Sequence, residues 1–287
     1  MSLIQELFDV VTGNVYWVDS AANSTNATGS FNRPLLTIQA GVDKCTASNG
    51  DLVLVKPGHA ETITSQIDFD KAGVTVRGLG KGNLRPTLTP NGAIDCIDVS
   101  AANMSLENVI FASPGTDAQT ADVNVDAAGF TLLNTKHVGS ETDNNKVSYV
   151  TVTANGDDCL LKGMRANTSV VAMVIGIDVA AATRVEIDDC TITGNASVGY
   201  TSGTVADSGT ASDLVIHHST LANIGAAGEG ITLGNNSIGA VWKCRISSRH
   251  DTIANANSPG TGADSFETYA TANVSKNGAI APVVDAD

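Results

Sequence analysis

The sequence VEIDDCTI at 185–192 places two carboxylates side by side, Asp188 and Asp189, between apolar residues. Adjacent acids can contribute to a divalent-cation site, or they can serve as a general acid and a general base. The same two residues can also be successive positions of a repeating scaffold. The elements that carry them decide between these interpretations.

The other residues whose side chains could do chemistry occur singly or in adjacent pairs. They are Lys162, Lys243, the pair Asp157–Asp158, the pair His217–His218, and His59 in the sequence PGH. Asp157–Asp158 follow an Asn-Gly dipeptide, which is typical of an exposed turn. The PGH sequence is interpreted as a turn after a strand, with a histidine that is not catalytic.

A repeat of 26 to 30 residues organises most of the chain. Each copy has apolar residues two positions apart, then a mostly charged residue, then Gly, Asn, Asp or His. This order indicates a strand with one buried face, followed by a corner. A second strand pattern precedes most copies. The central apolar residues of successive copies are Val76, Leu106, Leu132, Leu161, Ile187, Ile216 and Trp242.

A period of this length, without the signature of leucine-rich repeats, predicts stacked coils that bury one another. We expect an all-β chain folded as a single-stranded right-handed parallel β-helix of about eight coils. Residues 1–50 would form an N-terminal segment with a short capping helix, 51–248 the β-helix, and 249–287 a tail for oligomer or partner contacts. The helix is predicted within 37–47, where apolar residues have helical spacing.

The repeat assigns each candidate residue to a position in a coil. Asp188 falls in an outward column, where we expect it to face solvent, and Asp189 falls at the corner. His217 and His218 take the same two positions one coil later. Charges in the outward column are interpreted as rung-to-rung pairs that fix the register. The members of that column on four consecutive coils are predicted to be Lys162, Asp188, His217 and Lys243.

The sequence predicts no metal or catalytic site. One acid is too few to hold calcium, and neighbouring rungs supply no coherent third and fourth ligand for another metal. Carbohydrate grooves usually present aromatic side chains, but Trp242 is expected in the core column. We therefore predict no catalytic, cofactor-binding or metal-binding residue, and no cofactor.

Composition and charge narrow the classes of partner. The 287 residues include 28 glycines and only 4% aromatic residues, which suits short strands and tight turns. A net charge of −14 argues against nucleic acid and anionic membranes as partners. The five cysteines are widely spaced, so we expect reduced and mostly buried thiols. The start MSLIQELFDVV lacks the basic and apolar regions of a secretory signal, so folding in a cytoplasm is expected.

The block YWVDSAANSTNATGSFNRPLLTIQAGVDKCTASNGDLVLVKPGHAETI at 16–63 resembles the start of pectate-lyase-like β-helix proteins. With the repeats, the resemblance covers roughly residues 15–248, and it implies the fold more than a function. The hydrolase pattern of that group is absent, since Asn134-Thr-Lys136 is not NTD and no GHG occurs. The chain is also similar to tailspike-like structural proteins of bacteriophages, a resemblance that implies a homotrimer and a place in the virion.

Three hypotheses follow from these observations. The leading one is a non-enzymatic virion protein, made in the host cytoplasm, that decorates or stabilises a capsid as a homotrimer and contacts the major capsid protein or another virion protein. The alternative is a tailspike-like protein that binds or depolymerises a polysaccharide, as a lyase or a hydrolase. A third is an adhesin that binds glycan without turnover.

Overall fold

The structure is a computed structural model. It describes residues 12–113, 119–139, 146–168, 171–194, 198–223, 229–233 and 237–248, with three short strands at 257–258, 262–266 and 269–270. These residues contain the helix α1 (Ile38–Lys44) and two 3-10 helices, Ser24–Asn26 and Gly82–Leu84.

The first nine strands are β1 (Val15–Val18), β2 (Leu52–Val55), β3 (Ala60–Ile63), β4 (Ile67–Phe69), β5 (Thr75–Gly78), β6 (Thr87–Pro90), β7 (Ile97–Val99), β8 (Ser105–Glu107) and β9 (Ile110–Phe111). The next nine are β10 (Ala121–Val125), β11 (Thr131–Leu133), β12 (Lys136–Val138), β13 (Ser148–Val152), β14 (Leu160–Lys162), β15 (Arg165–Asn167), β16 (Met173–Val179), β17 (Glu186–Asp188) and β18 (Thr191–Thr193). The last nine are β19 (Tyr200–Ala206), β20 (Leu214–His217), β21 (Thr220–Asn223), β22 (Glu229–Thr232), β23 (Ile238–Trp242), β24 (Arg245–Ser248), β25 (Asn257–Ser258), β26 (Gly262–Phe266) and β27 (Tyr269–Ala270).

These strands form three parallel sheets, which are the sides of a solenoid. The chain passes through each sheet once per coil, so a strand pairs with its equivalents in the coils before and after it. The ten-stranded sheet begins β1-β2-β5-β8 and ends at β26, and the other two sheets have nine and eight strands. The predicted class, an all-β right-handed parallel β-helix with a short N-terminal helix, is confirmed.

The interior of the coil is lined by apolar columns. The predicted central residues of six copies are partners in register through the ten-stranded sheet and are fully buried. Burial of one such side chain stabilises the fold by about 1.5–3 kcal/mol. They are Val76, Leu106, Leu132, Leu161, Ile187 and Ile216.

The last predicted copy is displaced by one residue. Val241, not Trp242, pairs with Ile216, and Trp242 pairs with His217 in the outward column. Lys243 consequently lies at the corner, with φ 51°. Val241 and Trp242 are both apolar, so alternation alone allowed two registers; the observed one buries the smaller valine.

The corners after β8, β11, β14, β17, β20 and β23 of the ten-stranded sheet bend through the left-handed region. Asn108, Asn134 and Asp189 have φ values of 57°, 53° and 49°. Asn and Asp tolerate this conformation better than most residues, which explains their recurrence at the position. The prediction that Asp189 lies at a bend is confirmed.

The helix α1 covers the first coil as predicted. The Thr37 side chain accepts a hydrogen bond from the Ala40 N–H at 3.2 Å and thereby caps the helix. Ile38 and Val42 are fully buried and Cys45 is nearly so. β1, which precedes the helix, pairs with β2 and so extends the ten-stranded sheet.

The sheets continue beyond residue 248. β25, β26 and β27 pair with β22, β23 and β24, respectively. Residues 249–256 and 271–287 lie outside the described residues, and the role of the tail in oligomer or partner contacts stays a prediction.

No helix in the described part is long and apolar enough to span a membrane. All five cysteines are free and buried, as expected.

Candidate functional site on the outer face of the ten-stranded sheet

Four consecutive coils bring chemically active side chains together on the outer face of the ten-stranded sheet. Lys162, Asp188, His217 and Trp242 are successive partners in register. Strand residues that alternate with the buried core column point away from the coil interior, so the four form one outward column. Glu186 on β17 and His218 at the corner after β20 complete what we call the outer cluster: Lys162, Glu186, Asp188, His217, His218 and Trp242.

Asp188 lies in the predicted outward column, but the expectation that it faces solvent is wrong. Only 7% of the residue is exposed, because side chains from the two neighbouring coils cover it. The Lys162 ammonium lies 2.6 Å from its Oδ2. Burial raises the pKa of the Asp188 carboxyl, but hydrogen bonds from Lys162 and His218 outweigh that effect and lower it. Asp188 is therefore a carboxylate near neutral pH.

His217 is held between an acid and an aromatic ring. Its Nε2 lies 2.8 Å from Glu186 Oε1. A carboxylate only accepts hydrogen bonds, so Nε2 carries the proton, and Nδ1 of the neutral ring carries a lone pair. The Trp242 ring stacks on the imidazole, with centroids 4.7 Å apart and planes 8° from parallel. The position of the imidazole is thus fixed on two sides.

His218 reaches the same place because the chain bends there. Adjacent residues of a regular strand point to opposite faces, but His218 has φ 50°, and its side chain comes back toward the outer face. Its Nδ1 lies 3.2 Å from Asp188 Oδ1 and 2.7 Å from His217 Nδ1. Half of its side chain is exposed, so this part of the outer cluster is open to solvent.

The expectation that neighbouring rungs supply no coherent ligand set is wrong for three residues. Asp188, His217 and His218 each offer one ligand atom, and these atoms lie within 4.8 Å of one another. Asp189 is not part of the group: it is exposed and lies 3.6 Å from the Arg165 guanidinium. The adjacent acids therefore have different surroundings and do not form a pair.

Trp242 and Lys243 also differ from their predicted positions. Trp242 is half-buried on the outer face rather than in the core column, so the site does present an aromatic side chain. Lys243 leaves the outward column for the corner. A one-residue shift in register explains both changes.

The remaining candidates have structural roles. Asp158 occupies a turn, as predicted, and its carboxylate receives hydrogen bonds from Arg184 on the next coil. His59 is buried and lies just after a turn; its Nδ1 accepts a hydrogen bond from the Ser20 N–H at 3.0 Å. Its Nε2 lies 3.0 Å from Glu61 Oε2. His59 therefore helps to fix the N-terminal loop.

Sequence reasoning missed one buried polar group. Asp122, His137 and Lys146 are almost fully inaccessible. The Lys146 ammonium donates to Asp122 Oδ1 at 2.6 Å, and His137 Nδ1 lies 2.9 Å from Asp122 Oδ2. Burial lowers the pKa of His137 despite the nearby carboxylate. The signal was available: His137 takes the inner position that Phe111 holds in the preceding coil.

The fold has relatives among solved structures. No family model matches the chain, and no curated protein matches it. A pectate lyase, Pel9A, superposes with a TM-score of 0.54 at 16% identity, over 95% of this chain and 79% of its own. A rhamnogalacturonan lyase superposes with a TM-score of 0.51 at 12% identity, over 94% of this chain and 84% of its own. At these identities the likeness shows the fold alone: the chain is a right-handed parallel β-helix, similar in fold to these two lyases.

Proposed function

We propose that this protein binds a polysaccharide along the outer face of the ten-stranded sheet, with the outer cluster as the centre of the site. The observation that carries the proposal is the stack of Trp242 on His217, beside the Lys162–Asp188 ion pair. An aromatic face beside charged groups can contact both the apolar face and the hydroxyl groups of a sugar ring. The two similar solved structures bear the names of polysaccharide lyases, which supports the same substrate class.

The direct test is binding of a panel of neutral and acidic polysaccharides, measured by affinity electrophoresis and calorimetry. Trp242→Ala should weaken binding by about 10-fold or more, the usual effect of removing an aromatic residue central to a binding surface. Trp17→Ala is the matched control, because Trp17 lies on β1 at the other end of the same sheet. Binding of no polysaccharide, or equal weakening by both variants, would overturn the proposal.

Cleavage of the bound chain is a second candidate function, favoured by the geometry of His217. A histidine whose Nε2–H is held by a carboxylate presents Nδ1 as a general base. Removal of such a base costs about 10²- to 10⁴-fold in rate. His217→Gln should therefore slow formation of unsaturated or reducing products by about 10²- to 10⁴-fold, while Trp242→Ala should act mainly through affinity. Unchanged product formation by His217→Gln would exclude this role.

The virion role stays a prediction: a homotrimer that contacts the major capsid protein or another virion protein. The two similar solved structures bear the names of polysaccharide lyases, so this role has less support than polysaccharide binding. Sedimentation equilibrium of the full chain should give three times the chain mass of 29.3 kDa. The protein should also co-sediment with empty capsids. A monomer that does not bind capsids would contradict the prediction.

A further inference from the structure

We propose that Asp188, His217 and His218 bind one divalent transition-metal ion, with zinc as the preferred ion. These residues belong to the outer cluster, but the proposed polysaccharide binding does not require the ion. The three ligand atoms form a nearly regular triangle: the two Nδ1 atoms are 2.7 Å apart, and each is 3.2 Å from Asp188 Oδ1. Tetrahedral zinc with ligands at about 2.0–2.1 Å sets neighbouring ligand atoms about 3.3 Å apart. The two sides that end at Asp188 Oδ1 are close to that spacing, and the side between the two nitrogens is shorter.

The short distance between the two imidazole nitrogens means that either a hydrogen atom or a metal ion must lie between them. The lone pair of His217 Nδ1 faces His218 Nδ1 at 2.7 Å, and two lone pairs at that distance repel each other. In the metal-free protein, one proton on His218 Nδ1 satisfies both His217 Nδ1 and Asp188 Oδ1. A metal ion would displace this proton, since the ligand form of histidine is the neutral ring.

The surroundings of the triangle resemble those of a metal centre. Ligating histidines usually donate their second N–H to a carboxylate, which fixes the ring and makes it a better ligand. Glu186 has this relation to His217, at 2.8 Å from Nε2. Asp188 Oδ1 belongs to the triangle, while its Oδ2 is held by Lys162 at 2.6 Å. Both oxygens therefore have a defined partner.

The triangle also combines rigidity with an open side. The side chains of His217 and Asp188 are 11% and 10% exposed, respectively, and both residues lie on paired strands. The His218 side chain is 51% exposed, so solvent reaches the third ligand. Three protein ligands with a solvent-facing fourth position are the arrangement of a zinc site that can bind water or a substrate oxygen.

The ligand types select the ion. Two imidazole nitrogens and one carboxylate oxygen suit zinc and neighbouring first-row metals. Calcium takes six to eight oxygen ligands, and magnesium favours oxygen ligands and waters. The prediction is therefore specific: zinc or cobalt binds here, and calcium does not bind at the same concentration.

The test is a titration of the tag-free, chelator-treated protein with zinc, measured by calorimetry. One ion per chain is expected. Cobalt should give the visible absorption of a four-coordinate site without sulfur-to-metal charge transfer, which separates this site from the buried thiols. Circular dichroism checks that every variant is folded. No zinc binding by folded wild-type protein, or a cobalt spectrum with thiolate ligands, would overturn the proposal.

Single substitutions locate the ion. His218→Ala removes an exposed ligand and should abolish binding. Glu186→Gln should weaken it by about 10- to 100-fold, as loss of an outer partner usually does. Lys162→Met removes a cation beside Asp188 and should tighten binding. Asp189→Asn is the matched control, since this neighbouring acid is exposed and contacts Arg165; it should leave binding unchanged. Retention of stoichiometric zinc by His218→Ala would place the ion elsewhere.

The proposal of zinc binding and the proposal of polysaccharide binding can each be overturned without the other. Zinc binding is measured without glycan, and glycan binding is measured with and without chelator. Because the ion would occupy the lone pair that His217 needs as a base, the metal-loaded protein should bind polysaccharide but lose any cleavage that depends on that base. If zinc instead accelerates cleavage, the assignment of His217 Nδ1 as the general base is wrong.

Discussion

Asp51 is the residue that ties the N-terminal segment to the first coil. Its Oδ1 accepts hydrogen bonds from the Asn14 N–H at 2.6 Å and from Asn49 Nδ2 at 2.7 Å, and its Oδ2 accepts from the Thr46 N–H at 2.7 Å. Burial raises the pKa of the Asp51 carboxyl, but these hydrogen bonds outweigh that effect and lower it. The charged form is therefore stabilised more in the folded protein than in the unfolded chain.

Asp51→Asn should lower the free energy of unfolding at neutral pH by about 1–3 kcal/mol, because the amide nitrogen would face N–H donors. A folded-state pKa below the unfolded value gives stability that is present above the unfolded pKa and is lost as pH falls through the folded pKa. The deficit of the variant should therefore shrink in acid. Urea unfolding at neutral and acidic pH measures it, with the exposed Asp68→Asn as the control. A deficit of the same size at both pH values would contradict this account.

For single residues, the sequence predicted the face of the strand on which a side chain lies better than it predicted the burial and contacts of that side chain. The repeat placed Asp188 in the outward column correctly, since register depends on alternation within one strand. Its burial depends on Lys162 and His217, which come from the coils on either side. No local sequence pattern predicts the way in which extended side chains from separate coils cover one another. The convergence of His217 and His218 was hidden for a similar reason, because it needs the left-handed corner at His218.

The corner after β14 is an element whose shape depends on glycine. Gly163 has φ +70°, and a Cβ added there would lie 2.5 Å from Asn134 Oδ1 of the preceding corner. A residue other than glycine meets both the left-handed penalty and this close approach.

Gly163→Ala should lower the free energy of unfolding by about 1–2 kcal/mol, the usual cost of the left-handed conformation. Gly92→Ala is the control, because the nearest atom to its added Cβ lies 3.6 Å away, at an ordinary contact distance. That control should be neutral or slightly stabilising, since alanine reduces the freedom of the unfolded chain. Thermal and denaturant unfolding measure the stability of the two variants relative to the wild-type protein. Equal stability of both would show that the corner adjusts without cost.

At the level of elements, alternation and spacing predicted most strands of the ten- and eight-stranded sheets, the corners and the capping helix, but not the strands of the nine-stranded sheet. These features depend on short stretches of sequence, such as Thr37 before the apolar stripe of α1. The predicted register of β23 was wrong, because Val241 and Trp242 are both apolar and either satisfies alternation. Pairing with β20 decides it. That single shift moved the aromatic residue of the candidate site from the interior to the outer face.

For the whole molecule, the repeat predicted a stacked rod but not what the rod binds. A solenoid coil contacts only its neighbours, so its stability is a sum of local terms and the ends open more easily than the middle. The five buried cysteines are distributed along the length of this rod. They are Cys45 after α1, Cys96 before β7, Cys159 before β14, Cys190 after β17 and Cys244 after β23.

Thiol labelling should therefore proceed from the ends of the rod inward. Burial raises the pKa of Cys159 and Cys190 to about 12 and that of Cys244 to about 11, and thiolate is the reactive form, so labelling requires opening. Cys244 and Cys45 should react first, and Cys159 and Cys190 should react at the rate of global unfolding. Pulsed alkylation with peptide mass spectrometry measures each site, and denatured protein gives the reference rates. Identical protection at all five would mean that the stack opens only as one cooperative unit, with no fraying at its ends.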